Sequence, residues 1–313
     1  MSKILLPYAY DENKELIHID NVKKDGMYTC PCCGANLSLR ISKIPKGQKY
    51  HRRNHFAHKT QNENNCSESF LHKLFKENVY NYIKSKILNK EDLNFEWQCE
   101  KCTDRHTGNL LKKAVNVDLE HNLGGCKPDI ALLDKNNKVV IVVEIVVTHK
   151  PEDFVLKYYE DNRIACLQLF VDDFDDCNNV EYKLSHPDKV NLCPNPICKI
   201  CGRYKQKAKI EIIGTECWKC GRPMKIAMMV SENEQYIIHP TSFTQREIEL
   251  ANLLGANIKE NYSKTQSRSY KANTCKYCNA FMGDFHLHDY YYLAPEKESE
   301  HVYKCFYCER IKK

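Results

Sequence analysis

The 313-residue sequence has no apolar run long enough to cross a bilayer. Its longest, Val139–Val147, is far short of the roughly 20 residues that a spanning helix needs. A membrane partner is therefore not expected. The opening Met-Ser-Lys-Ile-Leu-Leu-Pro lacks the extended apolar region of a secretory leader, so a cytoplasmic location is the expectation. No glycine-rich phosphate loop and no GxGxxG occurs, which leaves a nucleotide-binding fold without support. Apolar content of 42% with 28% charged residues is the balance of a folded chain, not of a disordered one.

Cysteine, by contrast, is abundant. In a reducing compartment 18 cysteines are thiols or metal ligands. CxxC pairs begin at Cys30, Cys99, Cys198, Cys217, Cys275 and Cys305. Two thiolates on either side of a tight turn are half of a tetrahedral zinc site. Cys30 and Cys33 are followed by His55 and His58, which predicts a Cys2His2 site, with Cys32, His51 and Cys66 as alternative ligands. Cys198/Cys201 and Cys217/Cys220, 15 residues apart around the apolar Ile210–Ile213, predict one zinc ribbon. Cys275/Cys278 and Cys305/Cys308, flanking the aromatic segment Phe281–Leu293, predict a second. About three structural zinc ions are expected. The partner of Cys99 and Cys102 stays open among His106, Cys126, Cys193 and no ligand at all. The formal charge of +6 falls to about +2 once two four-thiolate sites each contribute −2. Any basic surface is therefore local, as in Lys43–Arg53 or Lys199–Lys209. Tyr262, Lys264, Arg268, Tyr270 and Lys271 suit stacking and phosphate contacts, and are equally well described as a basic linker.

The central pattern is a hairpin. Apolar runs Ile130–Leu133 and Val139–Val147 are joined by the polar turn Asp134–Lys138, and the β-branched second run predicts a buried strand. Asp129 opens the first strand and Glu144 sits inside the second. An ionised carboxylate among valines is costly to bury unless it is neutralised, and a divalent cation held by two carboxylates is one solution. Helical spacing over Glu68–Leu88 places Glu68, His72 and Lys76 on one stripe. Strands are predicted over Phe95–Gln98, Ala114–Glu120 and Ile164–Val171, with Glu120 ending the second. Helices are predicted over Pro151–Asn162, carrying Lys157, and over Gln245–Asn261. The order is that of an α/β mixed sheet flanked by helices. The expected domains are a zinc-knuckle β module over 1–66, a core over 67–185, a zinc ribbon over 186–235, and a helix with a second ribbon over 236–313.

The hairpin resembles the core of PD-(D/E)xK nucleases, with Pro128-Asp129 and then Glu144 on the following strand. More narrowly, Cys30–Cys33, His55–His58, Glu68–Lys76, Lys127–Asp129 and Glu144–His149 together resemble the CoiA-like competence nucleases, over roughly residues 25–170. The C-terminal zinc ribbon is also similar to tails of bacterial proteins of this kind. The resemblance implies a restriction-endonuclease-like fold and a Mg²⁺ or Mn²⁺ site at Asp129 and Glu144. It also implies hydrolysis of phosphodiester bonds, most naturally of DNA. One position departs: the third motif residue, usually Lys and often Gln in the CoiA-like group, is Val146. An active enzyme must take its cation from Lys157, Lys76, His72 or His149. The alternative is a catalytically inactive zinc-ribbon protein that binds nucleic acid or acts as an adaptor. A protein partner or self-association is left open.

Overall fold

A computed structural model of the chain describes residues 5–23, 25–44, 48–49, 52–59, 66–232, 236–264, 266–284, 286–287, 290 and 297–311. His51 lies outside them, as do parts of the Lys43–Arg53 stretch and of the aromatic segment Phe281–Leu293. The chain is a mixed α/β structure of several sheets and few helices, divided into two compact units. The first comprises residues 1–98 and 105–192, and the second 99–104 and 193–313. The expected boundary near residue 66 does not separate units: the N-terminal module and the following core belong to one.

In the first unit, β1 (Tyr8–Tyr10), β2 (Leu16–His18), β3 (Tyr28–Thr29), β4 (Asn36–Arg40) and β5 (His55–His58) form an antiparallel sheet ordered β2-β1-β3-β4-β5. It joins α1 (Cys66–Asn89) through an aromatic cluster in which Tyr8 lies 6.2 Å from Phe70 and 5.8 Å from Phe174, ring centre to ring centre. The helix begins two residues earlier than its pattern predicts. It buries Leu71, Phe75, Val79 and Ile83 completely, each contributing about 1.5–3 kcal/mol by leaving water.

A two-stranded ribbon follows, β6 (Asn94–Gln98) with β7 (Arg105–Asn109). The second sheet consists of β8 (Asn116–Leu119), β9 (Ile130–Leu133), β10 (Val139–Val146), β11 (Ala165–Phe170) and β12 (Lys189–Val190), ordered β12-β11-β10-β9-β8. The β9–β10 hairpin forms where the apolar runs place it. Asp134 Oδ1 accepts from the backbone of Asn136 (2.8 Å) and Lys138 (3.0 Å), and Asn137 takes a positive φ of 57°. Every residue of β9 is buried, which requires cover on both faces. α1 packs against β8 and β10. α2 (Asp153–Asp161) crosses from β10 to the parallel β11 and packs with Ala131, Leu133, Val142 and Cys166. α3 (Val180–Ser185) completes the unit against α1 and β6.

The second unit is built on one long strand, β13 (Gln206–Glu216), which pairs from Ala208 to Glu216 with β14 (Pro223–Ser231). Its other side pairs with β19 (Lys297–Lys304), and β14 also pairs with β15 (Ile237–Ile238). β19 is charged and forms the sheet edge, as suits a strand with an unpaired side. α4 (Gln245–Leu253) starts in a capping box: Thr244 Oγ1 accepts from Glu247 N, and Thr244 N donates to Glu247 Oε2 at 2.7 Å. The predicted extension to Asn261 does not form. Gly255 has φ 106°, and Asn252 Oδ1 accepts from Ile258 N at 2.7 Å, turning the chain into β16 (Ile258–Ser263). β16 pairs with β17 (Arg268–Thr274), and β17 with β18 (Phe281–Met282). α5 (Phe306–Ile311) ends the described chain. No helix of the described residues is long and apolar enough to cross a membrane.

Candidate functional site

Asp129 and Glu144 come together by register. Val143 pairs with Ile130 across the antiparallel β9–β10 ladder, so the next residue pair outward is Glu144 opposite Asp129. The α1 stripe reaches the same place. His72 Nε2 lies 3.1 Å from Asp129 Oδ2, and Lys76 Nζ donates to Asp129 Oδ1 at 3.4 Å and to Glu120 Oε1 at 2.7 Å. The backbone N–H of Ile145 adds a 3.0 Å bond to Asp129 Oδ2. Glu120, half-exposed just past β8, also receives Lys127 Nζ at 2.8 Å.

The two central acids have opposite electrostatics. Burial alone would raise Asp129, but His72, the Ile145 N–H and Lys76 outweigh it and hold the carboxyl below its usual range. Lys127 and Lys76 hold Glu120 at about 2. Burial is the largest influence on Glu144, only 9% exposed, and the charge of Asp129 adds to it. The Tyr159 hydroxyl opposes both by donating to Glu144 Oε1 at 2.5 Å, and the carboxyl settles at about 7. One carboxylate is therefore firmly ionised beside a lysine and a histidine. Its neighbour sits at the edge of ionisation.

The remaining candidates separate clearly. Val146, two residues from Glu144 and so on the same face of β10, is buried and contributes no polar atom. Lys157 is exposed on α2. Tyr159, two residues and about 200° further round that helix, is the residue that faces Glu144. Lys157 is thus turned away from the acids. His149 is 91% exposed, and its nearest acid is Glu68, at 3.9 Å. Two polar neighbours of Glu144 were not anticipated from sequence: Tyr159, and Gln168, which pairs in register with Glu144 on the parallel β11 and is buried. Helical phase from the apolar face of α2 signals the first. The second depends on strand order, which composition does not carry. Glu120, Asp129 and Glu144 do not converge into a set of three mutually close ligand atoms of the kind the cysteines form among the described residues.

The cysteines assemble differently from the expected ribbons. In the first unit Cys30, Cys33, His58 and Cys66 bring their ligand atoms within 4.8 Å of one another, with His58 Nε2 3.4 Å from Cys33 Sγ. His55 is not in the group, and its Nδ1 lies 3.1 Å from Arg53 O. HFAH is a strand, so residues three apart point to opposite faces and one metal cannot take both histidines. Cys66, at the start of α1, is the fourth member.

In the second unit, Cys198 and Cys201 group with Cys305 and Cys308, while Cys217 and Cys220 group with Cys275 and Cys278. The expected pairing of consecutive CxxC motifs is replaced by a crossed one. The 15 residues between Cys201 and Cys217 contain no turn. They carry β13, whose 11 residues span about 34 Å at the usual rise, so the two knuckles stand at opposite ends of one strand. The β13–β19 register (Gln206 opposite Lys304) delivers Cys305 to the first end. The other end, where β13 turns into β14, takes Cys275. A tetrahedral ion with zinc–sulfur bonds of about 2.3 Å holds its sulfurs about 3.8 Å apart. Cys198–Cys308 and Cys220–Cys275 are 3.8 Å apart, Cys217–Cys278 3.6 Å and Cys201–Cys305 3.5 Å. Composition and spacing both suit zinc.

A further trio, Cys99, Cys102 and Cys193, lies together within the second unit. Cys126, one of the alternatives for it, packs instead in the first unit beside α2. All five CxxC turns from Cys30 to Cys275 share one backbone form, in which the residue after the second cysteine has positive φ. These residues are Gly34, Thr103, Gly202, Gly221 and Asn279, at 72°, 65°, 73°, 68° and 56°. In each its N–H bonds the carbonyl of the first cysteine at 2.8–3.1 Å, which turns the loop's other N–H groups toward sulfur. Thr103 is β-branched and strained there, at a cost of about 1–3 kcal/mol, so the knuckle at Cys99 forms against local preference.

Compared with known proteins, the chain matches no family model, no curated protein and no solved structure.

Proposed function

We propose that the first unit is a metal-dependent nuclease centre of the restriction-endonuclease-like type, hydrolysing phosphodiester bonds of DNA. The observation that carries this reading is Glu144: a carboxylate buried in a valine strand, beside an ionised Asp129, with Lys76 and His72 converging on the same pair. A structural strand has no use for so costly an acid. The helix, hairpin, helix and parallel strand around it agree with the fold that the resemblance implies.

The donor set suits Mg²⁺ or Mn²⁺, which take carboxylate oxygens. Asp129 and Glu144 would hold the ion. When bound, it would polarise a phosphate and lower the pKa of a water. Tyr159 fixes the Glu144 carboxyl group and favours its ionised form. Lys76 is the cation that Val146 does not provide: it stands between Glu120 and Asp129, positioned to receive negative charge building on a phosphate. His72, hydrogen-bonded to Asp129, orients that carboxylate. Gln168 adds a neutral amide on the strand beside Glu144.

A non-catalytic reading keeps one observation in its favour: Asp129 is already paired with Lys76 and hydrogen-bonded to His72. The experiment is cleavage of plasmid and single-stranded DNA with Mg²⁺ or Mn²⁺, beside the Asp129→Ala/Glu144→Ala double variant. Cleavage by the natural chain alone supports the proposal. Equal cleavage by both proteins overturns the assigned centre.

A further inference from the structure

The crossed cysteine groups of the second unit share a feature that zinc binding does not require. Cys198-Lys-Ile-Cys201-Gly-Arg203 and Cys217-Trp-Lys-Cys220-Gly-Arg222 each end in an arginine. The knuckles that face them, Cys275-Lys-Tyr277-Cys278 and Cys305-Phe-Tyr307-Cys308, each carry a tyrosine just before the second cysteine. In both groups the arginine lies over the tyrosine ring. Arg203 Cζ is 3.6 Å from the Tyr307 ring centre, and Arg222 Cζ is 5.0 Å from that of Tyr277. The same cation–aromatic pair is thus built twice, at the two ends of β13.

These pairs are exposed. Tyr277 is 59% and Tyr307 39% accessible, and Trp218, in the loop that groups with the Tyr277 knuckle, is 68% accessible. The eight positions inside the four CxxC loops hold three lysines, three exposed aromatics, one isoleucine, the buried Phe306 and no acid. Exposed aromatics do nothing for a thiolate site that backbone N–H groups already support, and hydration favours neither them nor a stacked guanidinium. At the Tyr307 end the pair borders a cleft of about 280 Å³, whose lining includes Lys101, Tyr204, Gln206 and Glu100. Lys101 Nζ stands 5.8 Å from the ring centre of Tyr204, a third cation–aromatic contact at the same end.

We propose that the two Arg–Tyr pairs form a bipartite platform for single-stranded nucleic acid, with bases stacking on the aromatic and guanidinium planes and phosphates meeting the loop lysines. A planar cation on an exposed ring suits an unpaired base, whose face is free, and the charge of the loops suits the backbone. A duplex hides the faces of its bases, so it does not fit. The spacing of about 34 Å along β13 means that one short strand reaches one platform and a longer strand reaches both. This inference rests on the reading of the chain as a nucleic-acid-processing protein, but it concerns binding and not cleavage. It also relocates the expected contact surface. On the β16–β17 hairpin, Lys271 donates to Phe243 O and Tyr270 packs edge-on against Phe281.

The test uses the full, zinc-loaded chain carrying Asp129→Ala/Glu144→Ala, so that no probe is cut. Fluorescence anisotropy with labelled oligo(dT) and oligo(rU) of about 20 and about 5 nucleotides brackets the site sizes of such surfaces. The Arg203→Gln and Arg222→Gln variants should each weaken binding of the long probe about tenfold, with zinc content unchanged. Together they should abolish it, while a duplex competitor displaces nothing. Tyr277→Leu and Tyr307→Leu should act in the same direction, and Tyr277→Phe and Tyr307→Phe should not. Equal weakening of both probe chemistries assigns the platform to single strands generally, and weakening of one assigns it to DNA or RNA. Undiminished binding by the double arginine variant overturns the proposal, as does failure of the parent to bind. If the natural chain cuts DNA yet the arginine variants bind normally, the platform is wrong and the nuclease reading stands. Platform-dependent binding with no cleavage gives the reverse.

Discussion

Tyr159 donates a 2.5 Å hydrogen bond to Glu144, the one carboxyl of the acidic site that titrates near neutrality. Burial raises Glu144 to about 7, and this bond is the main influence that restrains it. A cation is held by the ionised form, so divalent-ion binding and cleavage should rise with pH through about 7. Removing the bond by Tyr159→Phe should move that midpoint upward. A pH–rate profile with Mn²⁺, paired with calorimetric titration of Mn²⁺, checks both. A profile flat from pH 6 to 8 would remove Glu144 from the metal site.

The same acid should be a stability liability. Glu144 ionises at about 4.5 when exposed and at about 7 when folded, so the folded state prefers it protonated. Below the lower value both states are protonated and the effect vanishes. Above the higher value the penalty is complete, at roughly 3 kcal/mol. Glu144→Gln should therefore stabilise the metal-free protein at pH 8 by up to about that amount, and change it little at pH 4. Urea denaturation at the two pH values checks this. Equal effects at both would mean that the carboxyl is not desolvated.

Replacement of the motif lysine has a definite expectation. Lys76→Met should lower kcat by about 100-fold or more, because a charge-stabilising group is lost. Lys157→Met should stay within about twofold, the range of an exposed substitution that leaves the site's charge pattern intact. Single-turnover cleavage at saturating metal measures both. If Lys157 proves essential and Lys76 dispensable, α2 must turn during catalysis, and the cation does not come from α1.

The hairpin was legible because its signals are local: two apolar runs, a polar turn, and acids at fixed positions. The α1 stripe was legible for the same reason, since i and i+4 positions share a face in any helix. Lys157 misled because sequence gives its helix but not the rotation of that helix on the sheet. Tyr159 sets that rotation. His55 misled because a HxxH spacing suits one metal on a helix or turn, and this one lies on a strand. The crossed cysteine groups depend on β13 running unbroken for 11 residues and on β19 returning beside it from nearly a hundred residues away. Nothing in the spacing of the motifs encodes that return. Gly255 was the one local signal available and unused, since a positive φ there ends α4 where periodicity alone carried it on.

The crossed assembly makes a prediction that consecutive ribbons do not share. Cys198→Ser/Cys308→Ser removes two ligands of one site, and Cys198→Ser/Cys278→Ser removes one ligand from each of two. Zinc measured by plasma emission on purified protein should fall by one ion per chain in the first case and by two in the second. Consecutive ribbons would erase this distinction, since Cys198 would then share an ion with neither Cys308 nor Cys278, and both double variants would lose two. The sheet responds as well. Cys305 and Cys308 anchor the end of β19 to the start of β13, and structural zinc supplies much of the folding free energy of small modules. The first double variant should therefore expose β19 to proteolysis while the Cys217 group keeps its metal. Loss of both ions on breaking either group would mean that the two sites fold as one cooperative unit, and the β13–β14 ladder is the element that would couple them.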